Sequence, residues 1–452
     1  MNKLLENLVV LDFSHYIAGP FCGFLLADMG ARVIKIEPPE GAEERRIGGV
    51  PRYKKNTRMS LAFNRGKESL VVDLKSKQGR EIIYALVKKA DVVVQNFVPG
   101  AAEKIGIDYQ TLSALKPDLI FLSSTAFGEV GPYRSRKGFD IIAHAASGIM
   151  SNYADDDGEP RGPGGLPYID MSTGMLNALS IVSALYYRQQ TGKGQKIESS
   201  LFSTGLALQA INMVNVDTLD QALIQREKEL LAEAHDKGLS HTNIIDEFAE
   251  MRLRDDLPET ARPVEVPACN HRPTDVHVYP YYRVYETADG YLSVAALSQR
   301  QRQSLCALLA LEDEFVDVNV GNISDAAYFA QKQTMQAIEQ KLKTATNAEW
   351  MAKLENAGVP CGQVNYRADL YADPQVQALD LMWQLHNRDL GNYRAPGNPL
   401  RFSKTPIQAG SGAPSLGEHS HSVLSEFGFS ATKIAQWEQA GIIKGPEHPS
   451  GS

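Results

Sequence analysis

The chain has 452 residues, too many for one ordinary core, so two domains are expected. Its 43% hydrophobic and 22% charged residues fit a globular protein, and a net charge of −8, from 54 acidic and 46 basic residues, disfavours a general nucleic-acid binder. No run of about twenty apolar residues could span a bilayer. The opening Met1-Asn2-Lys3-Leu4-Leu5-Glu6-Asn7 shows no apolar signal core or cleavage site. With Cys22, Cys269, Cys306 and Cys361 scattered and in no CxxC pair, the expectation is a cytoplasmic protein with reduced thiols. No membrane or nucleic-acid partner is expected.

The first apolar run, Leu8-Val9-Val10-Leu11-Asp12-Phe13, suits a strand buried on both faces. Gly19-Pro20 opens a helix that Gly30 stops, and Val33-Ile34-Lys35-Ile36 follows as a second strand, closed by Pro38-Pro39. This spacing fits a βαβ crossover in a parallel sheet. The pattern recurs as a helix over 79–89 and strands over 91–95 and 119–123. The fold class is therefore α/β, with a Rossmann-like doubly wound domain. The first turn, residues 14–20, lacks GxGxxG, so a dinucleotide-dependent oxidoreductase has little support.

Asp170 closes a glycine-rich approach, Gly162-Pro163-Gly164-Gly165-Leu166-Pro167-Tyr168-Ile169, and precedes an apolar helix expected from Met171 to about Arg188. A carboxylate there sits at the favourable end of the macrodipole and is expected to stay ionised. Such an Asp reads either as an N-cap or as a nucleophile. From 217 to 282 charges and prolines crowd together, as in exposed helices and an extended connection. A second α/β pattern starts at 291–296, with helices near 299–309, 327–344 and 350–357, a strand at 359–364 and a last helix at 422–426.

Taken together, the chain resembles the class III CoA-transferases, the family of formyl-CoA and carnitine CoA-transferases. The likeness lies in Leu11-Asp12-Phe13, Ala18-Gly19-Pro20, Gly30-Ala31, Val33 to Glu37, and 64–75. It continues through Ala90 to Val93, Asn96-Phe97, Pro99-Gly100, the Asp170 helix, Thr191-Gly192-Lys193-Gly194-Gln195, 358–364 and 415–419. The resemblance implies an interlocked, ring-shaped homodimer. Each chain would hold a large CoA-binding Rossmann-like domain from residues 1–205 and 345–452, and a smaller central α/β domain with its core at 281–344. A linker with charged helices at 206–280 would join them.

It further implies that Asp170 attacks an acyl-CoA donor, forming an anhydride and then an aspartyl-CoA thioester that a carboxylic acid acceptor resolves. Coenzyme A is then a substrate, and no cofactor is permanently bound and no metal is needed. By position, His15, Tyr16, Ala18, Leu74, Lys75, Asn96, Phe97, Lys104 and Lys137 carry over as CoA contacts, and Asp140 as an acidic group beside the nucleophile. His419 and His421 read as solvent-facing.

The departures matter too. Ile17 stands where formyl-CoA transferase has glutamine, Pro38 replaces an arginine near the adenine, and no run of four glycines is present. These argue against formyl-CoA and oxalate as substrates. The related α-methylacyl-CoA racemase needs a histidine in Gly-His-Asp, where this chain has Gly138-Phe139-Asp140; His144 is the conceivable substitute base. A CoA-binding protein without turnover is the remaining alternative. Arg45, Arg46, Arg52, Lys54, Lys55 and Arg58 suggest a second carboxylate on the acceptor, hence a small dicarboxylate or hydroxy-dicarboxylate with succinyl-CoA as donor. Transfer between two carboxyls of one acid stays open.

Overall fold

The computed structural model describes residues 3–47, 56–152, 160–162, 165–210, 213–241, 243–244, 280–314, 316 and 325–446. Two compact units emerge: Met1–Ser147, Gly165–Gln209 and Pro374–Ser452 form one, and Gly148–Gly164 with Ala210–Asp373 the other.

The first unit opens with β1 (Val9–Asp12), α1 (Ala18–Asp28), β2 (Arg32–Glu37), α2 (Arg58–Phe63), β3 (Lys67–Val72), α3 (Lys77–Val87) and β4 (Val92–Gln95). Next come α4 (Ala101–Lys104), α5 (Tyr109–Leu115), β5 (Ile120–Thr125), α6 (Asp140–Ala146), α7 (Tyr168–Thr191), β6 (Gln195–Ser200) and α8 (Leu201–Ala207). Strands β1 to β6 pair in parallel in the order β3-β2-β1-β4-β5-β6. That order is Rossmann-like, and it reverses between β1 and β4.

Alternation along the strands feeds two cores. Leu11, Ile34, Leu70, Val93 and Phe121 face α3 through Ile82, Ile83 and Leu86. Val10, Val33, Val92, Val94 and Ile120 face α1 and α7 through Cys22, Leu26, Ala178, Ile181 and Ala184. Both faces are covered, as a parallel sheet requires.

The second unit holds α9 (Asp217–Lys237), β7 (Tyr282–Glu286), β8 (Tyr291–Ala295), α10 (Gln299–Leu309), α11 (Asp325–Leu342), α12 (Asn347–Asn356) and β9 (Cys361–Gln363). Its three strands are antiparallel, and Leu292, Val294, Leu305, Ile338, Trp350 and Leu354 make its core. Because β9 pairs with β8 and Trp350 packs in that core, the small unit runs on to Asp373. The expected return to the large domain at 345 is therefore moved to 374.

The C-terminal part adds α13 (Pro374–Ala378), the hairpin β10 (Met382–Asn387) and β11 (Gly391–Pro396), then α14 (Ser420–Glu426), α15 (Ala431–Gln439) and β12 (Ile443–Lys444). β12 extends the large sheet antiparallel to β3, while Val423, Leu424, Ile434 and Trp437 complete the α3 side of the core. The sequence reading missed the hairpin, α15 and β12. Much of the expected connection, residues 245–279, lies outside the described residues. Among the described residues no helix is long and apolar enough to cross a membrane.

Candidate active site

The site is built where the strand order reverses, at the carboxyl ends of β1 and β4. The turn after β1 is held by its backbone. His15 N–H donates to Asn96 Oδ1 (2.8 Å), and Asn96 Nδ2 donates to the His15 carbonyl (2.7 Å). Tyr16 has a left-handed backbone, φ 66°, which costs a side-chain-bearing residue about 1–2 kcal/mol. The Glu44 carboxylate offsets that cost by accepting the Tyr16 N–H (3.1 Å).

Glu44 is buried because it pairs with Lys35 (2.8 Å), whose ammonium also donates to the Ser14 carbonyl. Beside them Asp12 pairs with Lys67 (2.8 Å), and Glu37 accepts from Arg45 through Nη2 (2.8 Å). Burial would raise the Asp12 carboxyl, but Lys67 and Lys35 prevail and lower it. The same balance, with Arg45 as the main counter-charge, brings Glu37 to about 2.

Three acids and three bases thus neutralise one another beneath the turn. Sequence reasoning overlooked Lys35, Glu37, Glu44 and Lys67. A charge inside an otherwise apolar strand, as in Val33-Ile34-Lys35-Ile36, was the available signal, since buried charges must pair.

The side chains of the turn pack on two aromatic rings. His15 contacts the Phe97 ring (5.8 Å between centroids), and Tyr16 meets Phe139 edge-on (5.0 Å). Burial lowers the His15 imidazole below its usual range, and its Nδ1 is buried with no partner among the described residues.

Asp140 follows Phe139 as the first residue of α6, and its Oδ1 accepts the Asp170 N–H (2.9 Å). Asp170 is not an N-cap. The cap is Pro167, and Asp170 is the third helical residue, whose N–H has no partner within the helix. Its carboxyl is half-buried rather than exposed. The helix dipole favours the anion. Burial first, and the Asp140 charge second, outweigh it and raise Asp170 to about 7. The expectation of a fully ionised carboxylate is corrected accordingly.

The other candidates differ in their surroundings. Ala18 is buried at the start of α1, its carbonyl 2.8 Å from where a side chain on Gly174 would project. Leu74 packs on the core, Lys75 and Lys137 stand exposed outside the helices and strands, and Lys104 is exposed at the end of α4. None of these five is tied to Asp170 by a hydrogen bond or ion pair among the described residues.

Arg45 is removed from the acceptor set, because Glu37 and the Pro414 carbonyl occupy its guanidinium. Arg46 pairs with Glu43, Arg58 is exposed at the start of α2, and Arg52, Lys54 and Lys55 lie outside the described residues. His419 is not solvent-facing: it is half-buried, with Nδ1 3.3 Å from the Ser69 amide, whereas His421 is exposed and pairs with Glu438. Among the described residues no three His, Cys, Asp or Glu side chains cluster as metal ligands would.

A family model for CoA-transferase family III matches residues 5–236 and 252–420. The chain belongs to CoA-transferase family III. It is 28% identical over 442 residues to human succinyl-CoA:glutarate CoA-transferase, covering 98% of this chain and 90% of that one. It is 31% identical to a succinate–glutarate CoA-transferase of Agrobacterium fabrum, covering 93% and 95%. Among solved structures, a CAIB/BAIF family protein from Brucella suis superposes with a TM-score of 0.69 at 29% identity, covering 94% of this chain and all of that one. As a family III member the protein is a class III CoA-transferase acting on CoA thioesters. In this transferase Phe139, at the position where the racemase needs a base, has no group that could carry a proton.

Proposed function

We propose that this CoA-transferase works through covalent intermediates on Asp170, with succinyl-CoA as donor and a small dicarboxylate such as glutarate as acceptor. The observation that carries the reading is Asp170 itself. It is a half-buried carboxyl in the first turn of α7, poised near neutrality, its amide held by Asp140, whose neighbour Phe139 meets Tyr16 of the turn after β1.

Ionised Asp170 attacks the thioester carbonyl and expels CoA thiolate, leaving a mixed anhydride. The thiolate attacks the aspartyl carbonyl of that anhydride and releases the donor acid, giving an aspartyl-CoA thioester. The acceptor carboxylate then attacks this thioester, forming a second anhydride and free thiolate. Attack of the thiolate on the acceptor's carbonyl yields the new acyl-CoA and regenerates Asp170. A carboxyl near 7 suits both roles, since it is ionised in part and stays nucleophilic. Backbone amides around the turn are candidates for the developing oxyanions.

His15, Tyr16, Asn96 and Phe97 are proposed to line the pantetheine path, with Leu74, Lys75, Lys104 and Lys137 around the nucleotide end of CoA. The unspent Nδ1 of His15 supports a ligand contact there. Arg58 supports a second carboxylate on the acceptor, as do the two relatives named for succinyl or succinate and glutarate. A homodimer of interlocked chains belongs to the same reading. It is supported by the exposed apolar stripe Met175, Leu176, Leu179, Val182, Tyr186 and Tyr187 on α7, a face that a second copy would cover. A cytoplasmic setting is proposed with it.

The test is chemical. Hydroxylamine or borohydride added during turnover should mark Asp170, and Asp170→Ala should lose at least about a thousandfold in rate. Near-normal transfer by that variant, or a label on another residue, defeats the proposal.

A further inference from the structure

His144 is a buried group beside the site that this mechanism leaves without a role. It lies on α6 one turn after Asp140, with its side chain 3% exposed. Its Nδ1 is 2.9 Å from the Asp140 carbonyl oxygen and 3.0 Å from Asp140 Oδ2. A carbonyl oxygen only accepts, so Nδ1 carries the hydrogen and donates. In the neutral ring Nε2 then holds the lone pair. This orientation turns the imidazole back on its own helix, away from the part of a proton-exchanging base.

Asp140 is therefore held at both ends. Oδ2 is fixed by His144, and Oδ1 accepts the Asp170 N–H at 2.9 Å. One carboxylate joins the first turns of α6 and α7. An aspartate side chain has two rotatable bonds, and a partner on one oxygen decides where the other points. Without it, Asp140 can turn away and leave the third amide of α7 unpaired, in the turn that carries the nucleophile.

We propose that His144 is a positioning residue for acyl transfer. Its Nδ1–H locks the Asp140 rotamer, which sets the first turn of α7 and so the direction from which Asp170 attacks. The inference rests on Asp170 as nucleophile and deepens that reading.

Substitutions can separate positioning from bulk. Asparagine places an amide nitrogen close to where Nδ1 stands; glutamine carries it one bond further, to the place of Nε2; leucine fills space without a donor. With succinyl-CoA and glutarate, His144→Leu should lower kcat by about 10- to 100-fold, the loss expected from a misplacement near one ångström. KM for succinyl-CoA should stay within about threefold, because uniform binding is untouched. His144→Asn should recover most of kcat, and His144→Gln should not.

A His144→Leu enzyme with unchanged kcat, or equal rates for the Asn and Gln variants, overturns the proposal. A measurement on the unmodified protein guards against variants that fail to fold. Neutron diffraction should find hydrogen on Nδ1 of His144, and a ring bearing it on Nε2 alone overturns the inference. Wild-type enzyme with no label on Asp170 removes the nucleophile reading and this inference together. A labelled wild type with an unaffected His144→Leu removes this inference alone.

Discussion

At the scale of single residues, the proposed chemistry turns on Asp170 and the Asp140 carboxyl that holds its amide. Burial and the neighbouring Asp140 hold Asp170 near 7, so transfer should rise with pH through that value and level off above about pH 8. Asp140→Asn keeps an oxygen acceptor for the Asp170 amide but removes the like charge. Its single oxygen cannot serve both that amide and His144, so the plateau of its kcat/KM profile should fall while the acid limb shifts to lower pH; an unmoved limb would show that Asp140 exerts no electrostatic effect there.

Stability carries the same signature with a definite sign. The folded carboxyl retains a proton up to about 7 that the unfolded chain loses near 3.8, so stability declines as pH rises across that window. Asp170→Asn should therefore melt higher than wild type at pH 8, by about 2–4 kcal/mol of added stability, and match it at pH 4. Calorimetry at the two pH values decides this. A gain that is the same at both would mean the proton is not involved.

Elements meet at the site through small residues. Gly174, one turn after Asp170, lies so close to α1 that an added Cβ would come within 2.7 Å of Phe21 and 2.8 Å of the Ala18 carbonyl. The carbonyl is backbone and cannot swing aside. Gly174→Val should push α7 off α1, costing about 1–3 kcal/mol in a denaturant titration. It should lower kcat as well, because Asp170, the proposed nucleophile, rides on the displaced turn. The far end of α7 stops at Gly192, whose φ of 72° suits glycine. That glycine was visible in the chain as a stop. The true start at Tyr168 was not, since Pro167 caps by position and supplies no side-chain hydrogen bond.

For the whole molecule, the apolar stripe on α7 and the exposed Ile141 and Ile142 on α6 leave a face that a lone chain would present to water. Light scattering during size exclusion should give twice the chain mass. Rings linked as proposed could not part while folded, so dilution should yield no folded monomer before denaturation. A monodisperse folded monomer at micromolar concentration would end the dimer proposal.

Local pattern was enough for β1, β2, β4, β5, α1, α3 and α10, because apolar period and glycine stops are written within a few residues of each element, whereas β3 was not read as a strand. It also singled out Asp170 beside a helix start, whereas His15, Asn96 and Phe97 entered as CoA contacts through the family resemblance. In β10, Trp383 and Leu385 alternate with Gln384 and His386 and were overlooked, whereas β12 is only two residues long and becomes a strand through its distant partner β3. Distance in sequence likewise hid the pairing of Lys67 with Asp12, 55 residues apart, and the Asp140 contact to an amide 30 residues away. Residue types name the chemistry available to a chain, whereas charge pairing, burial and a carboxyl's titration depend on neighbours that only the folded backbone brings within ångströms.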